Sequence, residues 1–306
     1  MDKIKKYFPI ISGVLISTIF GLSFLFTKLA LIELEDRPFQ LLAYRFAIAA
    51  IILTILRLMG KVKVDFTGKR VHILFLLAFF QPISYFICET IGIRLTSSSE
   101  AGMMTALMPV IVTILASIIL KEKTSRSQII FIIISVSGVL FINIMKGGAT
   151  GNYIGGIVLF LAVLSGSFYN ILSRKSSLQF KPEETTFVMM WVGAIVFNGV
   201  SIIKHIYHGN LSDYFVPLSN IKLLIPVLYL GVLSSIVAFF LFNYMLSKLE
   251  ASRAAVFANL TTVVSILAGV FILKESFYWY QGIGGIVILI GVWGTNYFSI
   301  PRKIKE

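Results

Sequence analysis

Long uninterrupted apolar segments recur along this chain and restrict its fold more than any other feature of the sequence. The stretch "IIFIIISVSGVLFINI", from Ile129 to Ile144, contains no charged residue. A helix needs roughly 20 apolar residues to cross the hydrocarbon core of a bilayer, whereas the strands of a membrane barrel are short and alternate apolar with polar residues. Because the segments here are long and continuous, we predict an all-α integral membrane protein.

The amino-acid composition supports the same class. Of the 306 residues, 57% are hydrophobic and 13% are charged, whereas a soluble domain has about 25% charged residues. We predict ten membrane-spanning helices, joined by connections too short to hold a soluble domain. The predicted spans are residues 8–31, 39–59, 71–93, 97–120, 127–145, 153–173, 184–207, 221–247, 251–273 and 279–299.

The distribution of lysine and arginine predicts the orientation of these spans. With both termini in the cytoplasm, 19 of these residues fall on the cytoplasmic side and 6 on the other, and Lys28 and Arg45 inside spans complete the 27. Cytoplasmic loops of membrane proteins carry such an excess. We therefore expect a multi-pass protein of the plasma membrane. The positive charges are scattered over short segments, which favours contact with anionic lipids over binding of nucleic acid.

The second half of the sequence repeats part of the first. When the chain is shifted by 153 residues, the segment 95–144 aligns without a gap on 248–297. The informative identities are those of residues other than Leu, Ile and Val: Ser99/Ser252, Lys121/Lys274, Glu122/Glu275, Gln128/Gln281, Gly138/Gly291 and Asn143/Asn296. Each half then has five spans. Since five is an odd number, we expect the second repeat (153–299) to be inverted in the membrane relative to the first (8–145), as in many secondary transporters.

One charge is reversed between the repeats, because Glu100 aligns with Arg253. Glu100 is predicted in the first turn of a helix, where a carboxylate suits the positive end of the helix dipole, with Ser97 or Ser98 as N-cap. Arg253 follows the cytoplasmic excess of positive charge. The inversion alone explains the difference, and a direct role of Glu100 at the substrate or a gate is the alternative.

Several short motifs resemble those of one family. They are "YRF" (Tyr44–Phe46), "TSSSEAGMMTALMPV", "LKE" (Leu120–Glu122) and "ASRAAVFANL…LKE" in the second half. Together with two halves of five spans, they are similar to the EamA-like branch of the drug/metabolite transporter superfamily. The resemblance implies a transporter, often an exporter of amino acids, other small metabolites or toxic compounds. It also implies a cavity lined by spans 1, 3, 4, 6, 8 and 9, with spans 5 and 10 outside.

Polar residues at helical spacing provide candidates for that cavity. Polar stripes facing lipid are costly, so these faces should point inward, although Ser and Thr also serve as small residues between packed helices. The candidates for substrate binding are Gln81, Tyr85 and Glu89 (at i, i+4 and i+8), Tyr169, Asn170 and Asn259. The candidates for the cavity wall or a gate are Arg45, Glu100, Thr105, Pro109 and Thr262.

Two charged residues within predicted spans have alternatives that the sequence leaves open. Arg45 either extends to the outer interface or pairs with a carboxylate, for which Glu89 is the best candidate. If the two pair, both are structural; if they do not, Glu89 is free to bind a cationic group or a proton. For Lys28, nearer the end of its span, we expect extension to the interface.

No catalytic, cofactor or metal site is expected. The three histidines lie near span ends without a further ligand, and no glycine-rich phosphate loop is present. We predict a secondary transporter of a small metabolite, working by alternating access between the repeats, with a passive channel or a membrane-embedded sensor as the alternative. Expected partners are the small-molecule substrate and membrane lipids, and a homodimer is left open.

Overall fold

The structure, a computed structural model, describes residues 2–122, 125–145, 153–207, 209 and 211–298. Within these ranges the chain is helical and contains no strand. Two short 3₁₀ turns, Leu211–Tyr214 and Val216–Ser219, lie between the seventh and eighth segments. The helical segments are α1 (Asp2–Glu33), α2 (Pro38–Leu58), α3 (His72–Leu95), α4 (Ser98–Ile119), α5 (Arg126–Met145), α6 (Tyr153–Ser176), α7 (Pro182–Tyr207), α8 (Ile221–Lys248), α9 (Ala251–Phe271) and α10 (Trp279–Tyr297).

Eight of these helices are long and apolar enough to cross a membrane, namely α1 to α4 and α6 to α9. The apolar parts of α5 and α10 are shorter, Arg126–Ile142 and Trp279–Thr295. An all-α, multi-pass membrane protein is therefore confirmed. The predicted end of the tenth span, Ser299, lies outside the described residues.

The outer surface of the bundle is apolar, as a bilayer requires. Large aliphatic side chains such as Ile51, Ile118 and Ile195 are more than half exposed. Many small and polar side chains are buried instead, among them Ser17, Ser167, Ser234 and Ser265, each fully buried. This inside-out polarity follows from the solvent, because lipid-facing polar groups would lose hydrogen bonds that the interior provides.

The two halves of the chain pack against each other through most of their helices. The main pairs are α1 with α9 and α8, α2 with α7, α3 with α6, α4 with α6 and α9, and α5 with α10. Exchanging every helix of the first half with its counterpart in the second maps each of these pairs onto another pair or onto itself. The packing is therefore symmetric between the halves.

Two glutamates, Glu122 and Glu275, connect the halves at opposite ends of α4 and α9. Each follows a lysine in the left-handed region (φ 55° at Lys121 and 57° at Lys274) that ends the preceding helix. Glu275 accepts hydrogen bonds from the first residues of α4, and Glu122 from the first residues of α9. We call these contacts the Glu275 cap and the Glu122 cap. Since each helix begins where the other ends, α4 and α9 are antiparallel.

The Glu275 cap holds the start of α4 through four hydrogen bonds. Its carboxylate accepts from the backbone N–H groups of Ser98 (3.1 Å) and Ser99 (3.3 Å) and from both hydroxyls. Ser97 provides a further cap, because its hydroxyl accepts from the N–H of Glu100 at 3.1 Å. This confirms Ser97 as the N-cap and places Glu100 in the first turn.

The Glu122 cap repeats this arrangement on α9. Its carboxylate accepts from the N–H groups of Ala251 (3.1 Å) and Ser252 (3.4 Å) and from the Ser252 hydroxyl (2.8 Å). The first N–H groups of a helix have no partner within the helix, and a carboxylate there also suits the helix dipole. The identical "LKE" segments of the two halves thus have the same structural role.

Candidate functional site

A central cavity lies between the two halves of the bundle. Its wall combines residues of α1, α2, α3 and α4 with residues of α6, α8 and α9. None of the lining residues that the structure describes comes from α5 or α10, which pack on each other. This agrees with the lining implied by the family resemblance, with α2 added through Arg45. The polar lining residues are Ser17, Ser23, Arg45, Gln81, Tyr85, Glu89, Thr105, Asn170 and Thr261.

Glu89 is the carboxylate of this cavity. Glu89 is 5% exposed, and its Oε1 accepts a hydrogen bond from the Tyr85 hydroxyl at 3.0 Å. Oε2 is buried and has no hydrogen-bond partner among the described residues. Buried polar atoms in proteins nearly always have a partner, in protein, water or ligand. This oxygen is therefore available to a molecule that enters the cavity.

Arg45 lines the same cavity but makes neither of the contacts expected from the sequence. It is 1% exposed, so it does not extend to the membrane interface. Its Nε and Nη2 donate to the hydroxyls of Ser235 and Ser234, both at 2.8 Å. Its guanidinium lies over the Phe86 ring, 4.1 Å from the ring centre. It forms no ion pair with Glu89 within 4.0 Å, so Glu89 keeps a free oxygen although a positive charge is nearby.

Irregular turns in α3 and α8 position these groups. Residues Phe79–Ser84 of α3 and Tyr229–Val237 of α8 form wide π-type turns. In α3 the turn contains Pro82, which cannot donate a backbone hydrogen bond, and Gln81 has an extended backbone (φ −150°, ψ 115°). Gln81, Tyr85 and Glu89 all reach the cavity, but not as one regular helical stripe. Such turns within helices frequently occur at functional sites.

Two further candidates lie in the cavity wall on α4 and α6. The Thr105 hydroxyl donates to the backbone oxygen of Gly102 at 2.6 Å. The Asn170 amide donates to the backbone oxygen of Gly166 at 2.8 Å, while its Oδ1 is buried without a partner among the described residues. Asn170 thus resembles Glu89 in presenting an unused acceptor.

The remaining candidates are not among the cavity-lining residues. Tyr169 is fully buried, and its hydroxyl donates to Asn243 Oδ1 at 2.6 Å. Thr262 donates to the backbone oxygen of Gly102 at 2.7 Å, which joins α9 to α4. Asn259 is fully buried, and neither polar atom of its side chain has a partner among the described residues. Pro109 is buried in α4, and Glu100 is partly buried at its start.

Sequence reasoning missed several residues that shape the site. Ser234 and Ser235 hold Arg45, and Asn243 joins Tyr169 to Ser173 and Thr186. Consecutive serines in an apolar helix were one available signal, because hydroxyls in the membrane need a partner. The aromatic part of the cavity wall, Phe20, Phe24, Phe86, Phe239, Phe242 and Phe257, gave no signal that separates it from lipid-facing phenylalanines.

A second cavity opens at the end of the bundle where α1 ends and α2 begins. Its charged lining residues are Asp36, Arg37, Arg94, Lys204 and Asp213, with His205 beside them. Nearby, burial and the neighbouring Tyr44 raise the pKa of Tyr214 to about 12. Charges of both signs line this cavity, so it has no clear preference for one kind of ion.

Lys28 and Lys69 show how other cations are accommodated. Lys28 donates to the backbone oxygens of Ile93 and Thr96, both at 3.0 Å, and so caps the end of α3. Lys69 pairs with the buried Glu184 at 2.7 Å. Among the described residues, no group of three His, Cys, Asp or Glu side chains could hold a metal ion.

Comparison with known proteins gives two matches to one family, one in each half of the chain. The EamA-like transporter family matches residues 7–144 and 153–297. The uncharacterized transporter YcxC of Bacillus subtilis is 39% identical over 97% of this chain and 95% of its own length. An uncharacterized transporter of Archaeoglobus fulgidus is 27% identical over 90% of this chain and 94% of its own length.

More distant similarities extend to plants and to a solved structure. A WAT1-related chloroplastic protein of Arabidopsis thaliana is 22% identical over 67% of this chain and half of its own length. A crystal structure of another protein superposes with a TM-score of 0.63 at 17% identity, covering 95% of this chain and 98% of the other. At that identity the structure supports the fold alone. The Bacillus subtilis and Archaeoglobus fulgidus relatives are both named uncharacterized transporters.

Proposed function

Since this chain belongs to the EamA-like transporter family, we propose that it is a secondary transporter that exports a small metabolite, such as an amino acid, by alternating access through the central cavity. The observation that carries this proposal is the composition of the cavity wall. Both halves of the chain contribute to it, and it presents a buried carboxylate oxygen, Glu89 Oε2, with no partner among the described residues. A cavity with a few convergent polar groups in an apolar wall is typical of small-molecule sites.

The symmetry between the halves supports alternating access. The antiparallel α4 and α9, the reciprocal Glu122 and Glu275 caps, and the exchange-symmetric packing are what two inverted repeats would produce. We propose ten spans in two repeats, 8–145 and 153–299, with both termini on the cytoplasmic side of the plasma membrane. One unit in two orientations can adopt two conformations that are exchanged by the symmetry and are open to opposite sides.

Flux measurements in proteoliposomes test this proposal. We expect saturable uptake or release of at least one compound from a metabolite library, and a change in rate when a proton gradient is imposed. Flux that stays linear to high concentration would indicate a passive channel, and binding without flux would indicate a sensor. Either result would refute the transporter mechanism.

A variant of Glu89 tests its part in the mechanism. Glu89→Gln removes the charge but keeps the size, so we expect it to reach the membrane, to lose most of the flux and to change the pH dependence of the remainder. Glu183→Gln, at the start of α7 and not among the lining residues, is the matched control. If Glu89→Gln fails to accumulate and Arg45→Met restores it, the two residues act as a structural pair, and our assignment is wrong.

A further inference from the structure

Two short turns join helices that line the central cavity. Helix α3 ends at Leu95 and α4 begins at Ser98, and α8 ends at Lys248 and α9 begins at Ala251. Each turn therefore places the carbonyl groups that end one helix beside the N–H groups that begin the next. Both sets of groups lack partners within their own helices. The side chains that bind them determine how firmly each turn is held.

At each turn, a cation from a third helix binds the carbonyl groups. Lys28 of α1 donates to two backbone oxygens at the end of α3. Arg174 of α6 donates in the same way at the end of α8, to the oxygens of Leu246 and Ser247, both at 2.9 Å. Exchanging the halves maps α1 onto α6 and α3 onto α8, so the two contacts are counterparts. Neither cation lies in the aligned segments of the sequence repeat, and the correspondence is visible only in the structure.

A glutamate binds the N–H groups of each turn, through the Glu275 cap on α4 and the Glu122 cap on α9. We call Lys28 and Glu275 the α3–α4 clasp, and Arg174 and Glu122 the α8–α9 clasp. A cation at the end of one helix and an anion at the start of the next both suit the helix dipoles. Because α4 and α9 are antiparallel, the two clasps lie at opposite ends of the bundle.

Both clasps connect the two groups of helices that line the cavity. In one group α1 packs on α8 and α9, and in the other α6 packs on α3 and α4. The α3–α4 clasp reaches from the first group, through Lys28 and Glu275, to a turn of the second. The α8–α9 clasp reaches from the second group, through Arg174 and Glu122, to a turn of the first. Separating the groups at either end therefore breaks the clasp at that end.

The two clasps are similar in strength. Among the described residues, Lys28 and Glu275 make six hydrogen bonds to the α3–α4 turn. Arg174 and Glu122 make five to the α8–α9 turn. The contributions of the two ends are thus nearly equal. A modest difference in free energy, such as a ligand's different affinity for two conformations, is enough to decide which end opens.

We propose that the two clasps are the gates of the central cavity and open in alternation. Lys28 and Glu275 control access from one side of the membrane, and Arg174 and Glu122 control access from the other. Weakening one clasp therefore favours the conformation that is open at that end. A side chain that only stabilised the fold would have no such preference for one side. This assignment rests on the proposed function, since it names the residues that regulate access to the same cavity.

Labelling of a cysteine in the cavity, from each side of the membrane, tests the assignment. The single native cysteine, Cys88, is first replaced by alanine. Ala258→Cys then places a thiol in the cavity wall on α9, and an impermeant thiol reagent is applied to sealed vesicles of either orientation. Labelling of Lys222→Cys identifies the side on which the α3–α4 clasp lies, because the nearby Asn220 donates to Glu33 at the end of α1 at 2.8 Å.

The measured quantity is the ratio of the labelling rates from the two sides. Lys28→Met should shift this ratio about 10-fold toward the side of the α3–α4 clasp, and Arg174→Met about 10-fold toward the other side. The double variant should return the ratio to that of the parent. Glu275→Gln and Glu122→Gln should give the same two directions through the other half of each clasp. Lys175→Met, which removes the exposed cation next to Arg174, should leave the ratio unchanged.

Three results would overturn the assignment. They are an unchanged ratio in the folded single variants, a shift toward the same side in the variants of both clasps, and failure of all four single variants to accumulate, which would mean that the clasps hold the fold itself. Labelling needs no substrate, so the two proposals fail separately. Opposite shifts of the ratio without flux of any compound would refute transport only, whereas saturable flux with an unchanged ratio would refute the gates only.

Discussion

Replacing Gly269 with alanine should break the Glu275 cap. Gly269 lies in α9, and an added Cβ there would overlap the Ser99 hydroxyl oxygen and the Glu275 carboxylate, with Cδ of Glu275 at 3.0 Å. Real Cβ atoms essentially never approach other atoms so closely, so the carboxylate must move away. The aligned residue of the first half is Ala116, whose backbone oxygen accepts from the N–H of Glu122 as that of Gly269 does from Glu275. The Glu122 cap therefore forms with a methyl group already in that place, whereas the Glu275 carboxylate occupies the space that a methyl group at Gly269 would need.

The expected change in the free energy of unfolding follows from the hydrogen bonds that movement of the Glu275 carboxylate would break. An N-cap is worth about 0.5–2 kcal/mol, and a hydrogen bond to a charged group about 1.5–3 kcal/mol. Water at the helix end replaces part of this, so we expect loss of the Glu275 cap to cost about 3 kcal/mol. Alanine in place of glycine within a helix contributes about 1 kcal/mol of stability. Gly269→Ala should therefore lower the free energy of unfolding by about 2 kcal/mol.

Unfolding by sodium dodecyl sulfate in mixed micelles, followed by tryptophan fluorescence, measures this change. Gly199→Ala is the matched control, because nothing lies within 4 Å of an added Cβ at Gly199 in α7. It should raise stability by about 0.5–1 kcal/mol. The decisive comparison is Gly269→Ala in a Glu275→Ala background, where the methyl group no longer displaces a carboxylate and should stabilise the protein. An equal destabilisation in both backgrounds, or a stabilising Gly269→Ala alone, would refute the reasoning.

Three further predictions concern the orientation, Arg45 and the second cap. The chain has a single cysteine, Cys88. In a Cys88→Ala background, Lys63→Cys and Lys222→Cys should be labelled by impermeant thiol reagents from opposite sides of the membrane; labelling from one side would contradict the inverted repeat. Arg45→Lys keeps the charge but cannot donate to both serines in the same geometry, so thermal unfolding should show a loss of about 1–3 kcal/mol, and an unchanged melting temperature would mean that the serines do not hold Arg45. Glu122→Gln should cost about 1–3 kcal/mol in the same assay, because its amide nitrogen cannot accept the hydrogen bonds that start α9, and a neutral result would limit the cap to packing.

The sequence alone predicted the helices well, because the bilayer imposes a simple rule. A backbone in lipid must satisfy its own hydrogen bonds, so a long apolar segment has almost no alternative to a helix. The predicted spans 39–59 and 153–173 correspond to observed helices Pro38–Leu58 and Tyr153–Ser176. The positions of the helices could therefore be predicted from the sequence alone.

Part of the candidate site was also readable from the sequence. Polar residues within apolar helices are costly unless they face the interior, and Gln81, Tyr85, Glu89 and Asn170 do line the cavity. The same rule could not separate these residues from Tyr169, whose hydroxyl is used within the bundle by Asn243. A polar side chain signals burial, but its spacing along a helix does not reveal its partner.

The contacts of Arg45 depend on irregular backbone. The π-type turn of α8 presents two successive serine hydroxyls to the guanidinium. Regular helical spacing would place successive side chains about 100° apart, so sequence periodicity offered no reason to pair both with one residue. The sequence offered the outer interface or Glu89 for Arg45, and the two serines became its partners through the packing of helices that are far apart in the chain.

What the sequence by itself determined is the solvent, the helical class and the repetition of the "LKE" segments, because these depend on composition, on segment length and on identity between positions of one chain. What only the tertiary structure decided is which groups those residues contact. The glutamates of "LKE" cap helices of the opposite half, Glu122 about 130 residues before its partner and Glu275 about 180 residues after. Pairing between distant segments depends on how helices pack in three dimensions, and the energy of a hydrogen bond changes within fractions of an ångström. The periodicity of residues along the chain carries no information about the distance between atoms of segments that are far apart in the sequence.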